Sequence, residues 1–163
     1  MRSRLTSRRK LTSLATLSRL TSQAKTRGKT VVFTNGCFDV LHAGHVRLLE
    51  RARRLGDVLI VALNSDRSVR KLKGPGRPVT SQRDRAIILA ALECVDYVTI
   101  FHDPTPRRLI ARLKPQVLVK GSDWRAGAIV GAEVVRRFGG RVVRIPLLKG
   151  RSTSRLIKRI RHA

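Results

Sequence analysis

Residues 30–49, TVVFTNGCFDVLHAGHVRLL, decide the fold. Val31, Val32 and Phe33 are apolar and β-favouring, and Thr34 follows them, the pattern of an interior strand of a parallel sheet. Asn35-Gly36 breaks that strand. Leu41, Val46, Leu48 and Leu49 then recur at roughly helical spacing, so a strand, a tight turn and a helix start follow one another directly. His42 and His45 fall three apart on one face of that helix start. A helix start leaves backbone N–H groups unpaired, and its dipole adds about half a positive charge. Gly36 lets a ligand approach the backbone, and Gly44 keeps the wall between the imidazoles low. A lone His-x-x-His pair is more often two surface histidines on an amphipathic helix. Directly behind a strand and a glycine turn, it reads as a phosphate site whose imidazoles donate to phosphoryl oxygens.

Outward from this stretch, strands alternate with helices. Upstream, a solvated basic tail is expected over residues 1–10. A helix is expected over about 13–27, capped by Ser13, ended by Gly28 and packed on the edge of the sheet. Downstream, Gly56-Asp57 leads into a second strand, Val58 to Leu63, closed by Asn64-Ser65-Asp66. Gly74, Pro75, Gly76 and Pro78 predict irregular chain over residues 69–78, carrying Lys73 and Arg77. Ser81 caps an apolar helix to about Glu93, with Arg85 as the charge inside its apolar pattern. Further strands are expected at Asp96 to Phe101, Gln116 to Val119 and Arg141 to Ile145, with helices between them. A parallel sheet with right-handed crossovers follows, and ligands of such a sheet bind at the carboxyl ends of its strands.

Two further clusters fall at such ends. Behind the fourth strand, Lys120 offers a point positive charge to phosphate, Asp123 an acceptor for ribose hydroxyls and Trp124 a stacking surface; the other reading is a loop in which Trp124 fills a packing gap. Ahead of the last helix, Ser152, Thr153 and Ser154 offer hydroxyl and backbone donors together, or a plain N-cap. Lys73 and Arg77 read as phosphate contacts or as a solvated lid, and Arg85 as a phosphate contact or a salt-bridge partner. His102 reads as a polar loop residue.

Thr34-Asn35-Gly36-Cys37-Phe38-Asp39 followed by His42-Ala43-Gly44-His45 resembles the signature of the HxGH nucleotidylyltransferases of the cytidylyltransferase-like superfamily. Within it, Lys120-Gly121-Ser122-Asp123-Trp124 resembles the branch that makes ADP-heptose from heptose 1-phosphate. The resemblance implies a Rossmann-like, HUP-type α/β fold: a five-stranded parallel sheet in the order 3-2-1-4-5 with helices on both faces. It implies ATP and a sugar 1-phosphate as substrates, Mg2+ accompanying the triphosphate, and His42, His45 and Lys120 as the catalytic groups. It implies nucleotide and phosphate binding by Thr34, Asn35, Gly36, Cys37, Phe38, Lys73, Arg77, Arg85, Gly121, Asp123, Trp124, Ser152, Thr153 and Ser154. Asp39 is the candidate Mg2+ ligand, with turn capping as its other reading. A homodimer and a separate sugar kinase are implied as partners. Arg151 departs from the β-branched apolar residue common at its place. Two rivals act on other phosphates: a cytidylyltransferase for glycerol 3-phosphate or a similar alcohol phosphate, and a flavin-nucleotide synthetase.

Composition bounds the rest. The 163 residues give room for one α/β domain, expected over residues 11–163, and none for an additional kinase domain. The net charge is +26, with nine Lys/Arg and no acid in residues 1–29 and eight and none in residues 141–163. Such a surface attracts polyanions, so a catalytically inactive nucleic-acid-binding protein is the rival from another class. Aromatics are only 4%, with no stacking platform for single strands, and no dedicated nucleic-acid partner is expected. Cys37 and Cys94 form no metal pair and suit a reducing cytoplasm. No apolar run approaches the ~20 residues that span a bilayer, so no membrane association is expected.

Overall fold

Val31–Gly36 is the central strand, as its apolar run requires: a strand flanked on both edges and both faces meets no water. The computed structural model describes residues 6–122, 126–148, 150 and 152–161. In chain order the elements are α1 (Ser7–Lys10), α2 (Leu14–Thr26), β1 (Val31–Gly36), α3 (Ala43–Arg53), β2 (Val58–Asn64), α4 (Asp66–Lys73), α5 (Gln82–Ala91), β3 (Tyr97–Phe101), α6 (Arg107–Leu113), β4 (Val117–Gly121), α7 (Ala132–Arg137), β5 (Arg141–Ile145) and α8 (Thr153–Arg161). The five strands form one parallel sheet in the order β3-β2-β1-β4-β5. This is the Rossmann-like arrangement expected.

Side chains alternate along each strand, so the sheet builds two cores. On one face Val32, Leu59, Val61, Val117 and Val119 pack with Leu49 and Ala52 of α3 and Ala86 and Leu89 of α5. On the other, Val31, Phe33, Ile60 and Leu118 pack with Leu17 of α2, Ile110 and Leu113 of α6 and Val135 of α7. Burying each such side chain contributes about 1.5–3 kcal/mol. The strand order puts a switch point between β1 and β4, the place where an open parallel sheet forms its ligand crevice beyond the carboxyl ends of the strands.

Four local outcomes differ from expectation. Residues 7–10 form a helical turn: Lys10 Nζ donates to the Leu92 carbonyl at 2.9 Å, and Thr12 N to the Val98 carbonyl at 3.0 Å. The Leu11–Thr12 segment, not α2, therefore lies along the open edge of β3. α2 crosses a face of the sheet, with Leu17 fully buried and Lys25 Nζ on the Leu113 carbonyl at 2.6 Å. Residues 66–73 are helical: Ser65 caps α4 by accepting from Ser68 N at 3.3 Å, and the glycine and proline signals act only from Gly74, which has φ +94.

Candidate functional site

The histidine turn builds itself from its own side chains. His42 is the N-cap of α3, and its Nδ1 accepts from Gly44 N at 3.1 Å. His45 reaches back, its Nδ1 accepting from His42 N at 3.4 Å, which completes a reciprocal cap made of two imidazoles. The rings stack at 3.9 Å between centroids, and Phe38 meets His45 edge-on at 5.3 Å. An Nδ1 that accepts carries no proton, so each neutral ring holds its proton on Nε2 and presents a donor there. Burial, then the neighbouring His42, pushes the His45 pKa down to about 4, against the opposing pull of Asp39. At neutral pH His45 therefore offers a neutral N–H donor.

Lys120, at the end of β4, converges on the same place. It is 7% exposed, and its Nζ donates to the Asn35 carbonyl at 3.1 Å. Asn35 Oδ1 is buried without a hydrogen-bond partner among the described residues, a vacancy a ligand donor would satisfy. Thr153 Oγ1 donates to the Asp39 carbonyl at 2.8 Å, which brings the start of α8 onto the turn between β1 and α3. Ser152 caps α8 by accepting from Arg155 N at 3.3 Å, and Ser154 is exposed beside it. Gly36, Cys37 and Gly121 end the strands around this crevice. Lys73 is exposed at the end of α4. Asp123 and Trp124 lie outside the described residues.

Three expected ligand contacts have other work. Arg85 is 1% exposed. Its guanidinium donates to the carbonyls of Cys37, Thr80 and Asn64 and to Asp66 Oδ1, the last at 2.7 Å. It is a buried strut between the ends of β1 and β2. Thr34 is buried, its hydroxyl donating to the Val119 carbonyl at 3.0 Å, which ties β1 to β4.

Asp39 is capped rather than open to a cation: its carboxylate accepts from Arg77 Nε at 2.5 Å, Val79 N at 3.0 Å, Thr80 N at 3.1 Å and Thr80 Oγ1 at 3.1 Å. Burial alone would raise its pKa, but these donors outweigh it and hold the carboxyl below its ordinary value. Phe38 and Val40 on either side have φ of 45° and 49°. Such backbone costs about 1–3 kcal/mol per residue and persists only where surrounding contacts over-determine it. Among the described residues no group of three or more His, Cys, Asp or Glu could hold a metal ion. These side chains do not fit a protein-built metal cage.

Sequence reasoning missed Thr80 and read Asp66 only as part of the turn that closes the second strand. Asp66 could have been found as the acidic first residue of a helix capped by Ser65; Thr80 carries no local signal. Burial raises the Cys37 thiol pKa, so that sulfur is no nucleophile at neutral pH.

Residues 33–158 match the family described as cytidylyltransferase-like. The chain belongs to the cytidylyltransferase-like family. Family membership makes it a nucleotidyltransferase by class, and small-molecule substrates fit that class. The matched span holds the histidine turn, Lys120 and the start of α8, while α1 and α2 precede it.

Among curated relatives, the bifunctional protein HldE of Syntrophotalea carbinolica is 58% identical over 134 residues, covering 82% of this chain and 27% of the relative. That of Geotalea uraniireducens is 54% identical over 152 residues, covering 93% and 31%. The chain thus spans less than a third of the length of these relatives. Among solved structures, the lipopolysaccharide core biosynthesis protein of Thermoplasma volcanium superposes with a TM-score of 0.62 at 24% identity, covering 76% of this chain and 99% of that one. The pantoate-beta-alanine ligase of Francisella tularensis, complexed with beta-gamma ATP and beta-alanine, superposes at 0.58 and 14%, covering 88% and 68%. At those identities the likeness establishes the fold alone. Among the described residues no helix is long and apolar enough to cross a membrane.

Proposed function

We propose that this member of the cytidylyltransferase-like family transfers AMP from ATP to a sugar 1-phosphate, heptose 1-phosphate in the first instance, releasing pyrophosphate. The observation that carries the reading is the convergence on one turn of the two stacked imidazoles, the buried Lys120 side chain and the hydroxyl-bearing start of α8. The length and identity of the match to the HldE proteins support the heptose branch over glycerol phosphate.

A phosphate oxygen of the sugar phosphate attacks the α-phosphorus. The bond to the bridging oxygen breaks in line, and pyrophosphate leaves with the electron pair. The nucleophile is already ionised at neutral pH, so no general base is needed. His42 and His45 hold Nε2 protons toward the phosphates, Lys120 supplies positive charge, and Ser152–Ser154 bind the triphosphate. Catalysis rests on positioning and on charge stabilisation at the α-phosphate. Mg2+ would accompany the triphosphate of the nucleotide and would add positive charge at its phosphates. Lys73 at the end of α4 and Arg77 in the loop after it reach phosphates, and Asp123 and Trp124 bind the nucleoside or sugar. The reaction runs in the cytoplasm, in a homodimer, and the sugar phosphate is made by a kinase unit outside these 163 residues.

Pyrophosphate release, measured with ATP and CTP against a panel of heptose 1-phosphate, hexose 1-phosphates, glycerol 3-phosphate and flavin mononucleotide, tests the reading. Release with ATP and heptose 1-phosphate well above every other pair is expected. Preference for CTP with glycerol 3-phosphate would replace the reading with its nearest rival. Turnover with no pair, together with salt-sensitive RNA or duplex binding, would favour a binding protein.

A further inference from the structure

We propose that Asp39 is a positioning residue: its carboxylate latches the Arg77–Thr80 segment, and its carbonyl, through Thr153, latches the start of α8, so that both close over the histidine turn. The proposal deepens the nucleotidyl-transfer reading and rests on it for its kinetic arm only.

The geometry is specific. Asp39 is 1% exposed and three residues ahead of His42, and its contacts come from two segments distant in sequence. Arg77 gives up Nε to Asp39, while four further N–H donors sit on its terminal nitrogens. A fork held by its stem aims those donors, whereas a free arginine would sample many rotamers. Val79 N and Thr80 N converge on the same carboxylate, which fixes the backbone of the segment as well as its side chain.

The turn that carries Asp39 stands in left-handed backbone at Phe38 and Val40. Residues of that kind hold such a conformation only under constraint from outside the turn, and the latch supplies it. A residue that served folding of its own turn alone would not need its carboxylate held by the loop after α4 and its main-chain carbonyl held by the last helix. Both segments carry residues that the mechanism assigns to phosphates, Arg77 on one and Ser152–Ser154 on the other. Asp39 therefore sets their distance from His42 and His45.

The test uses Asp39→Asn, Thr80→Val with Thr80→Ser, and Thr153→Val with Thr153→Ser, in the full chain. Amide hydrogen exchange at Val79 and Thr80 reads the latch without any turnover. Exchange about tenfold or more faster in Asp39→Asn and Thr80→Val, and restored in Thr80→Ser, is expected for the loss of a charge-assisted bond. Steady-state kinetics read the positioning: kcat falls about tenfold in Thr153→Val and Thr80→Val, KM for ATP changes much less, and the serine variants recover most of the rate.

Should Asp39→Asn fail to fold, the threonine pairs decide. Unchanged exchange at Val79 and Thr80 overturns the latch. Lowered thermal stability with wild-type kcat in both valine variants reduces Asp39 to a structural group. A wild-type protein that releases no pyrophosphate from any nucleotide ends the functional reading instead, and the exchange data then judge the latch by themselves.

Discussion

His45 shows how one side chain can serve fold and chemistry together. Its Nδ1 caps α3, which leaves Nε2 to donate. Replacing it with alanine should lower kcat by about 10²–10³, the usual cost of one transition-state donor. The lost cap should cost only about 1 kcal/mol of stability. Rate measurements beside a urea titration separate the two. Its pKa also makes a pH prediction. The folded value of about 4 lies below the ordinary 6.5, so on acidification the unfolded chain takes up the proton first. Stability linked to His45 is full above about pH 6.5 and is lost as pH falls toward about 4, at no more than about 1.4 kcal/mol per unit. Urea midpoints across that range check the slope, and His45→Ala should flatten it. Arg85→Lys keeps the charge but loses the fork. Several unmade buried hydrogen bonds at about 1 kcal/mol each should cost about 2–3 kcal/mol, with KM for ATP little changed; a raised KM at full stability would return Arg85 to the phosphates. The histidines and Lys120 were legible because motif and strand end are local in sequence. The roles of Arg85 and Asp39 were not: their partners lie 48 and 38 positions away, and a lone charge in a pattern does not say which carbonyls it will meet.

At the scale of elements, the five strands were legible because each is a short apolar run between turn residues, and burial on both faces leaves such a run few alternatives. Boundaries drifted where two signals competed. Ser65 and Asp66 start a helix that the Gly74–Pro78 punctuation concealed, because a serine cap is a weaker mark than two glycines and two prolines. α2 covers a face of the sheet, whereas the sheet's edge was the expected place. Leu14, Leu17, Thr21 and Ala24 form a stripe along the helix, but which surface that stripe covers depends on α6, with which it shares a core. That placement predicts a stability effect. Leu17 is fully buried between α2, β1 and α6, so Leu17→Ala should cost about 2–5 kcal/mol in urea or thermal unfolding. A cost under about 1 kcal/mol would mean that α2 lies loosely on the sheet.

For the molecule as a whole, the charge of +26 is a field rather than a site. It draws anions toward a crevice that already holds Lys120 and the α3 and α8 starts. kcat/KM for ATP should therefore fall as the Debye length shrinks from about 30 to about 8 Å, while kcat stays nearly constant. A salt-independent kcat/KM would show that the surface charge serves something else. The fold, the switch point and the family all point to the same place at the ends of β1 and β4, where an adenylyl group would change hands. ATP labelled at the α-phosphate and mixed with heptose 1-phosphate tests that transfer directly. The label should move into a sugar nucleotide while the unlabelled β- and γ-phosphates leave together as pyrophosphate, and His45→Ala should slow this transfer by about 10²–10³. Label that stays in ATP, or that transfers at the same rate without His45, would contradict it.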